Sequence, residues 1–155
     1  MRSLMSIRGL ADMRRIAVLV LLITWLSACS EPWTLFPGDA LAGNDKLPPA
    51  VWEKVPEVVQ LETKPEDPHS VNIWTAGIGP DLYVVGSSRG TKWTANIDAN
   101  PTVRVRIGQD IYRLRAVAVT DQAERDRVAA AYVAKYEQDP EDNYVMTGKV
   151  FRLDR

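Results

Sequence analysis

The chain has 155 residues, 46% hydrophobic and 25% charged, with 19 basic and 20 acidic side chains, one cysteine and one histidine. This is the composition of a globular domain, and a net charge of -1 carries no nucleic-acid footprint. One cysteine and one histidine exclude a disulfide framework and a histidine-based metal cluster.

The first residues stand apart. Arg2, Arg8, Arg14 and Arg15 precede an apolar run from Ile16 to Leu26. As a helix this run would rise only about 16 Å, roughly half the hydrocarbon thickness of a bilayer. It is too short to span and suits the apolar core of a signal peptide. Leu26-Ser27-Ala28-Cys29 follows and resembles the lipobox of bacterial lipoproteins, in which the cysteine is acylated and becomes the new N-terminus. The expected division is a signal peptide over 1–28, a lipidated Cys29 with a flexible tether over 29–48, and a folded domain over 49–155. Met13 is an alternative start to Met1, because Arg14 and Arg15 alone supply the positive charge.

Acyl chains on Cys29 would make the lipid bilayer a stable partner. Ser30 rather than an aspartate after the cysteine implies, by resemblance to Gram-negative sorting signals, the periplasmic face of the outer membrane. Loss of residues 1–28 removes four arginines and Asp12, leaving 15 basic and 19 acidic side chains, a net of -4. Pro32, Pro37, Gly38, Gly43, Pro48 and Pro49 punctuate the tether. Trp33, Leu35 and Phe36 belong either in the membrane interface or against the domain.

Within the domain, Pro49 predicts a short helix carrying Val51, Trp52 and Val55, ended by Pro56. Val58, Val59 and Leu61 predict a strand. Lys64-Pro65-Glu66-Asp67-Pro68-His69 reads as a turn, with His69 solvated. Val71 to Thr75 alternates as a strand ending at Gly77-Ile78-Gly79, and Leu82 to Gly86 reads as a buried strand. Trp93 and Ile97, four apart, predict a helix between Thr91 and Asn100 stopped by Pro101. Thr102–Ile107 and Ile111–Thr120 form a hairpin. With Gln109 and Asp110 as its loop, Ile107 faces Tyr112, Val105 faces Leu114, Arg106 faces Arg113 and Arg104 faces Arg115. Asp121 with Glu124 starts a helix to about Gln138, striped by Val128, Ala131, Tyr132 and Tyr136. Val150 to Leu153 closes the chain. The expected fold is mainly β (α+β): a split β-barrel of about six antiparallel strands, a short helix and a longer covering helix.

The sequence holds no G-x-S-x-G elbow, phosphate-binding G-x-x-x-x-G-K loop or G-x-G-x-x-G. The four hairpin arginines call for an offset: carboxylates such as the nearby Glu124 and Asp126, an anionic ligand, or plain solvent screening on an exposed face. The segment Ser87, Ser88, Arg89, Gly90, Thr91, Lys92 is the best candidate site, because it joins a strand to a helix start where free N–H groups favour an anion. Trp93 offers a ring for a flat ligand or a core contact, and Asn96 lies one turn further on.

Leu82-Tyr83-Val84-Val85, the Ser-Arg-Gly turn and Trp93 through Asn96-Ile97-Asp98-Ala99-Asn100-Pro101, followed by the hairpin and helix, resemble the deazaflavin-dependent nitroreductase family and its bacterial relatives. The likeness covers residues 56 to 155. It implies a split barrel that binds flavin mononucleotide (FMN) or a deazaflavin, often as a homodimer with the cofactor at the interface, or that has lost the cofactor. Members that bind the cofactor carry a basic R-x-S-G turn between their first two strands, where this chain has Glu66 and Asp67. The expectation is therefore an envelope lipoprotein with a flavin-binding-like but non-catalytic domain, taking envelope proteins or a flat anionic small molecule as partners. The alternative is a flavin- or deazaflavin-dependent reductase.

Overall fold

In a computed structural model, residues 38–140 and 144–155 are described. The chain divides into two units, Met1–Trp33 and Thr34–Arg155, and the described residues fall in the second. Cys29, the apolar run, Trp33, Leu35, Phe36 and positions 141–143 lie outside the described residues.

Seven strands form one sheet: β1 (Asn44–Lys46), β2 (Val58–Thr63), β3 (His69–Ile78), β4 (Asp81–Gly86), β5 (Thr102–Ile107), β6 (Asp110–Ala118) and β7 (Lys149–Asp154). Two helices, α1 (Lys92–Ala99) and α2 (Gln122–Tyr136), interrupt them. The strand order is β1-β6-β5-β2-β3-β4-β7, and β7 returns to β6, so six antiparallel strands close a barrel. The mainly β split barrel expected from the sequence is what the chain adopts, with β1 as an additional strand parallel to β6.

Period-two alternation explains the interior. Val59, Leu61, Ile73, Leu82, Val84, Val103, Val105, Leu114, Ala116, Phe151 and Leu153 point inward, each at most 9% exposed. Full burial of one such aliphatic side chain contributes about 1.5–3 kcal/mol. Ala76, Tyr83, Val85 and Val150 face outward under α2, which buries Val128, Ala129 and Tyr132 against them. Strand β4 therefore has apolar neighbours on both faces, which is why Leu82 to Val85 is an unbroken apolar run.

Local signals set the helix ends. Thr91 caps α1, the two-threonine box with Thr94 is complete, and Asn100 takes an extended conformation before Pro101. Asp121 accepts the Glu124 N–H at 2.8 Å, and α2 ends at Tyr136, where Glu137 is left-handed at φ 51°.

Three expectations need correction. No helix forms at Pro49–Val55; Trp52 is 5% exposed, its ring lies edge-on to Tyr112 at 5.1 Å, and its backbone N–H donates to the Gly79 carbonyl at 2.8 Å. Gly77 permits this approach, since a Cβ there would lie 2.2 Å from the Trp52 carbonyl oxygen. The hairpin loop is Gly108-Gln109, because Gly108 takes φ +60° and Ile107 pairs with Asp110. Arg104 consequently faces Arg113, while Arg106 faces Ile111. Finally, Gly38 to Lys46, read from the sequence as tether, lies on the barrel: Gly38 bridges Ser70, Leu41 is 7% exposed, and β1 pairs with β6.

Candidate functional site

The turn between β4 and α1 is ordered by its own backbone. Gly90 donates to the Ser87 carbonyl at 2.9 Å and takes φ +79°, and the Ser87 hydroxyl accepts the Arg89 N–H at 3.3 Å. Ser87, Ser88, Arg89, Thr91 and Lys92 are exposed. The Thr91 hydroxyl faces the Thr94 N–H at 3.4 Å, so it serves the helix cap. Trp93 is 7% exposed and packs edge-on to Phe151 at 5.8 Å. Its ring is core and offers no stacking surface to a ligand.

Asn96 ties this region to the β2–β3 hairpin. Its side-chain amide donates to the Thr63 hydroxyl at 3.0 Å, and that hydroxyl donates to the His69 carbonyl at 3.2 Å. Thr63 is fully buried. Its signal in the sequence is a polar residue at an inward position after Val59 and Leu61, which demands a side-chain partner. His69 is the first residue of β3, paired with Thr63 and partly buried, rather than a solvated turn residue. Burial first, and then the charge of Lys92, hold its imidazole below the usual value.

The turn opposite is acidic in effect. Lys64, in the left-handed region at φ 56°, gives its ammonium to Asp67 at 2.7 Å, and Glu66 adds a second carboxylate. The ammonium, and more weakly Lys92, keeps the Asp67 carboxyl below its ordinary range. A phosphate-bearing flavin would need free cations or N–H donors here. The Lys64 charge is matched by Asp67, and Glu66 leaves the turn with a net negative charge that repels an anion. These residues do not fit such a phosphate.

Much of the arginine face is matched from within the chain, while Arg113 and Arg115 stay exposed. Glu62, 2% exposed, accepts both contacts of one Arg104 nitrogen at 3.0 and 3.2 Å and the Leu41 N–H at 2.5 Å. Arg104 also donates to the Leu41 carbonyl at 2.8 Å, Arg106 to the Ala42 carbonyl at 3.3 Å, and Arg113 meets Asp45 at 3.2 Å. The offsetting carboxylates are thus Glu62 and Asp45, not Glu124 and Asp126. Glu124 binds Arg152 at 2.8 Å and the Tyr83 hydroxyl at 2.9 Å, and Asp126 accepts from Gln122 at 2.7 Å.

Two open grooves lie away from this region. One of about 510 Å³ runs beside Ala130, Val133 and Met146; another of about 320 Å³ lies by Asp98, Arg125 and Lys149. Among the described residues, no cluster could hold a metal ion, and no helix is long and apolar enough to cross a membrane.

The closed barrel, the inward helix α1 and the covering helix α2 define a split-barrel protein. Residues 55–152 match the family described as uncharacterized protein conserved in bacteria (DUF2255), and the chain belongs to that family. No curated protein matches it. Among solved structures, it is similar to an F420-H2-dependent reductase, with 19% identity, a TM-score of 0.54 and coverage of 74% of this chain and 100% of that one. A domain-swapped dimer shows 21% identity and a TM-score of 0.54, covering 65% of this chain and 82% of that chain. HutZ, a heme storage protein from Vibrio cholerae, shows 16% identity and a TM-score of 0.52, covering 63% and 80%. At these identities the likeness is one of fold.

Proposed function

We propose that the chain is a lipoprotein of the bacterial envelope, held by acylated Cys29 at the periplasmic face of the outer membrane. Its barrel would serve contacts with other envelope proteins rather than catalysis. The anchoring half rests on sequence order: a basic start, a short apolar run, then Leu26-Ser27-Ala28-Cys29. The observation that carries the non-catalytic half is the turn before β3, where Lys64 pairs with Asp67 at 2.7 Å and Glu66 adds a second carboxylate, in place of a basic turn that would hold a cofactor phosphate. A fold shared with a reductase does not transfer its chemistry, because function depends on the site.

A second reading, an FMN- or deazaflavin-dependent reductase, is favoured by one observation. Ser87, Ser88, Arg89 and Lys92 remain exposed beside the start of α1, where backbone N–H groups favour an anion.

An absorbance spectrum of the native chain extracted from membranes, followed by titration with FMN, separates the two. The expected protein is colourless and shows no saturable micromolar binding. A yellow protein, or micromolar binding abolished by Arg89→Ala with Lys92→Ala, would overturn the cofactor-free reading and make reductase assays the next measurement. For the anchor, Cys29→Ala is expected to leave the chain unprocessed and unable to incorporate labelled palmitate. Normal processing with normal palmitate incorporation would overturn it.

A further inference from the structure

The outer face of the barrel carries an aromatic patch that the fold leaves uncovered. Alternation along β3 turns Ile73 and Thr75 inward and Trp74 outward, where it is 44% exposed. Its ring stacks on Tyr136 at 4.6 Å and 12°, and Tyr144 lies 6.1 Å away. Directly across the ladder, Val58 is 48% exposed.

We propose that this patch is the face the barrel lays against the bilayer that holds Cys29. The proposal rests on the lipid-anchored reading above. What selects a bilayer as the occupant is the place of Gly38, nine residues after Cys29. Gly38 exchanges two hydrogen bonds of 2.8 Å with Ser70. Ser70 and Trp74 share one strand and one outward face, four residues or about 13 Å apart. Cys29 precedes Gly38 by nine positions, so full extension gives it a reach of about 30 Å at most. Gly38, the described residue nearest Cys29 in sequence, is thus held on the strand that carries the patch.

The chemistry agrees. A half-exposed Trp ring, apolar with one polar N–H, settles at the headgroup level of a bilayer. Its neighbours on this face, Gln60 and Asn72, are uncharged. Glu57, the adjacent carboxylate, lies within electrostatic reach of the Lys135 ammonium.

The test uses the full lipid-bearing chain, purified from membranes and reconstituted in phosphatidylethanolamine–phosphatidylglycerol vesicles with dibrominated acyl chains. Trp33→Phe serves as background, because Trp33 lies close to the anchor in sequence. Trp52 and Trp93 are 5% and 7% exposed and contribute little quenching. Tryptophan emission is expected to be quenched in the background protein, and Trp74→Phe to remove most of that quenching while leaving thermal unfolding unchanged. Equal quenching with and without Trp74 would overturn the proposal. Shielding of Trp74 that instead follows protein concentration in detergent would also overturn it, because a second copy would then cover the face. If the chain does not sediment with vesicles at all, the anchored reading fails, which is a separate outcome from sedimentation without Trp74 quenching.

Discussion

Glu62 and Arg104 pair at 3.0 Å on the outer face of the barrel, with the carboxylate 2% and the guanidinium 20% exposed. The pair does more than neutralise charge: each partner also binds one backbone group of Leu41, so the two side chains clamp the N-terminal strap to β2 and β5. Removing one partner leaves a buried ion uncompensated. Glu62→Gln is expected to cost about 3 kcal/mol in denaturant unfolding. It should also open residues 38–46 to limited proteolysis. Glu62→Leu with Arg104→Met should recover much of the stability while the strap stays cleavable.

Gly86 lies where α1 meets the barrel. A Cβ there would sit 2.5 Å from the Thr94 methyl and 3.0 Å from the Trp93 ring. Gly86→Ala is therefore expected to lift α1 and cost about 1–3 kcal/mol. Denaturant unfolding together with near-ultraviolet circular dichroism of the displaced Trp93 would check it.

His69 gives a pH dependence with a defined sign. Its folded-state value lies below the usual 6.5, so near that pH the unfolded chain binds more protons than the native one. Its contribution is present above about pH 6.5 and is lost as pH falls toward the folded value. The urea midpoint should drop between pH 7 and pH 5, and His69→Gln should flatten that drop. Because the chain has one histidine, its NMR titration also reports on the candidate site. An anion seated beside Lys92 would offset that charge and raise the measured value.

Tyr136 closes the gap where β2 and β3 part. Its hydroxyl accepts the Thr75 N–H at 2.9 Å and lies 2.6 and 2.7 Å from the carbonyls of Glu57 and Thr75. Tyr136→Phe leaves these groups without that partner and should cost about 1–3 kcal/mol. Hydrogen exchange at the Thr75 amide should accelerate in the same variant.

Much of the fold was legible in the sequence because its signals are local. Trp93 and Ile97 four apart, with Pro101 behind them, mark α1, and the alternation of Val103 and Val105 marks an inward face. The hairpin strands were readable but their register was not, since one left-handed glycine, Gly108, moves the loop and with it every arginine pairing. The strap was hidden because prolines and glycines look alike in a tether and in an irregular segment packed on a sheet. What secures the strap is the contact of Leu41 with Glu62 and Arg104, 21 and 63 positions away. The site divides in the same manner. Ser87 to Lys92 lie where the sequence put them, whereas the bond from Asn96 to Thr63 and the Lys64–Asp67 pairing depend on folding.

The strap also decides how the domain would carry mechanical load. Among the described residues, tension from the N-terminal side meets the Gly38–Ser70 pair, then the Leu41 clamp, and then β1, which runs parallel to β6 on the same edge that β7 occupies further along. Bonds met one after another peel off singly, whereas strands pulled along their length must slip together. The segment nearest the leash would thus yield as a sacrificial fuse, paying out slack before the barrel itself feels strain.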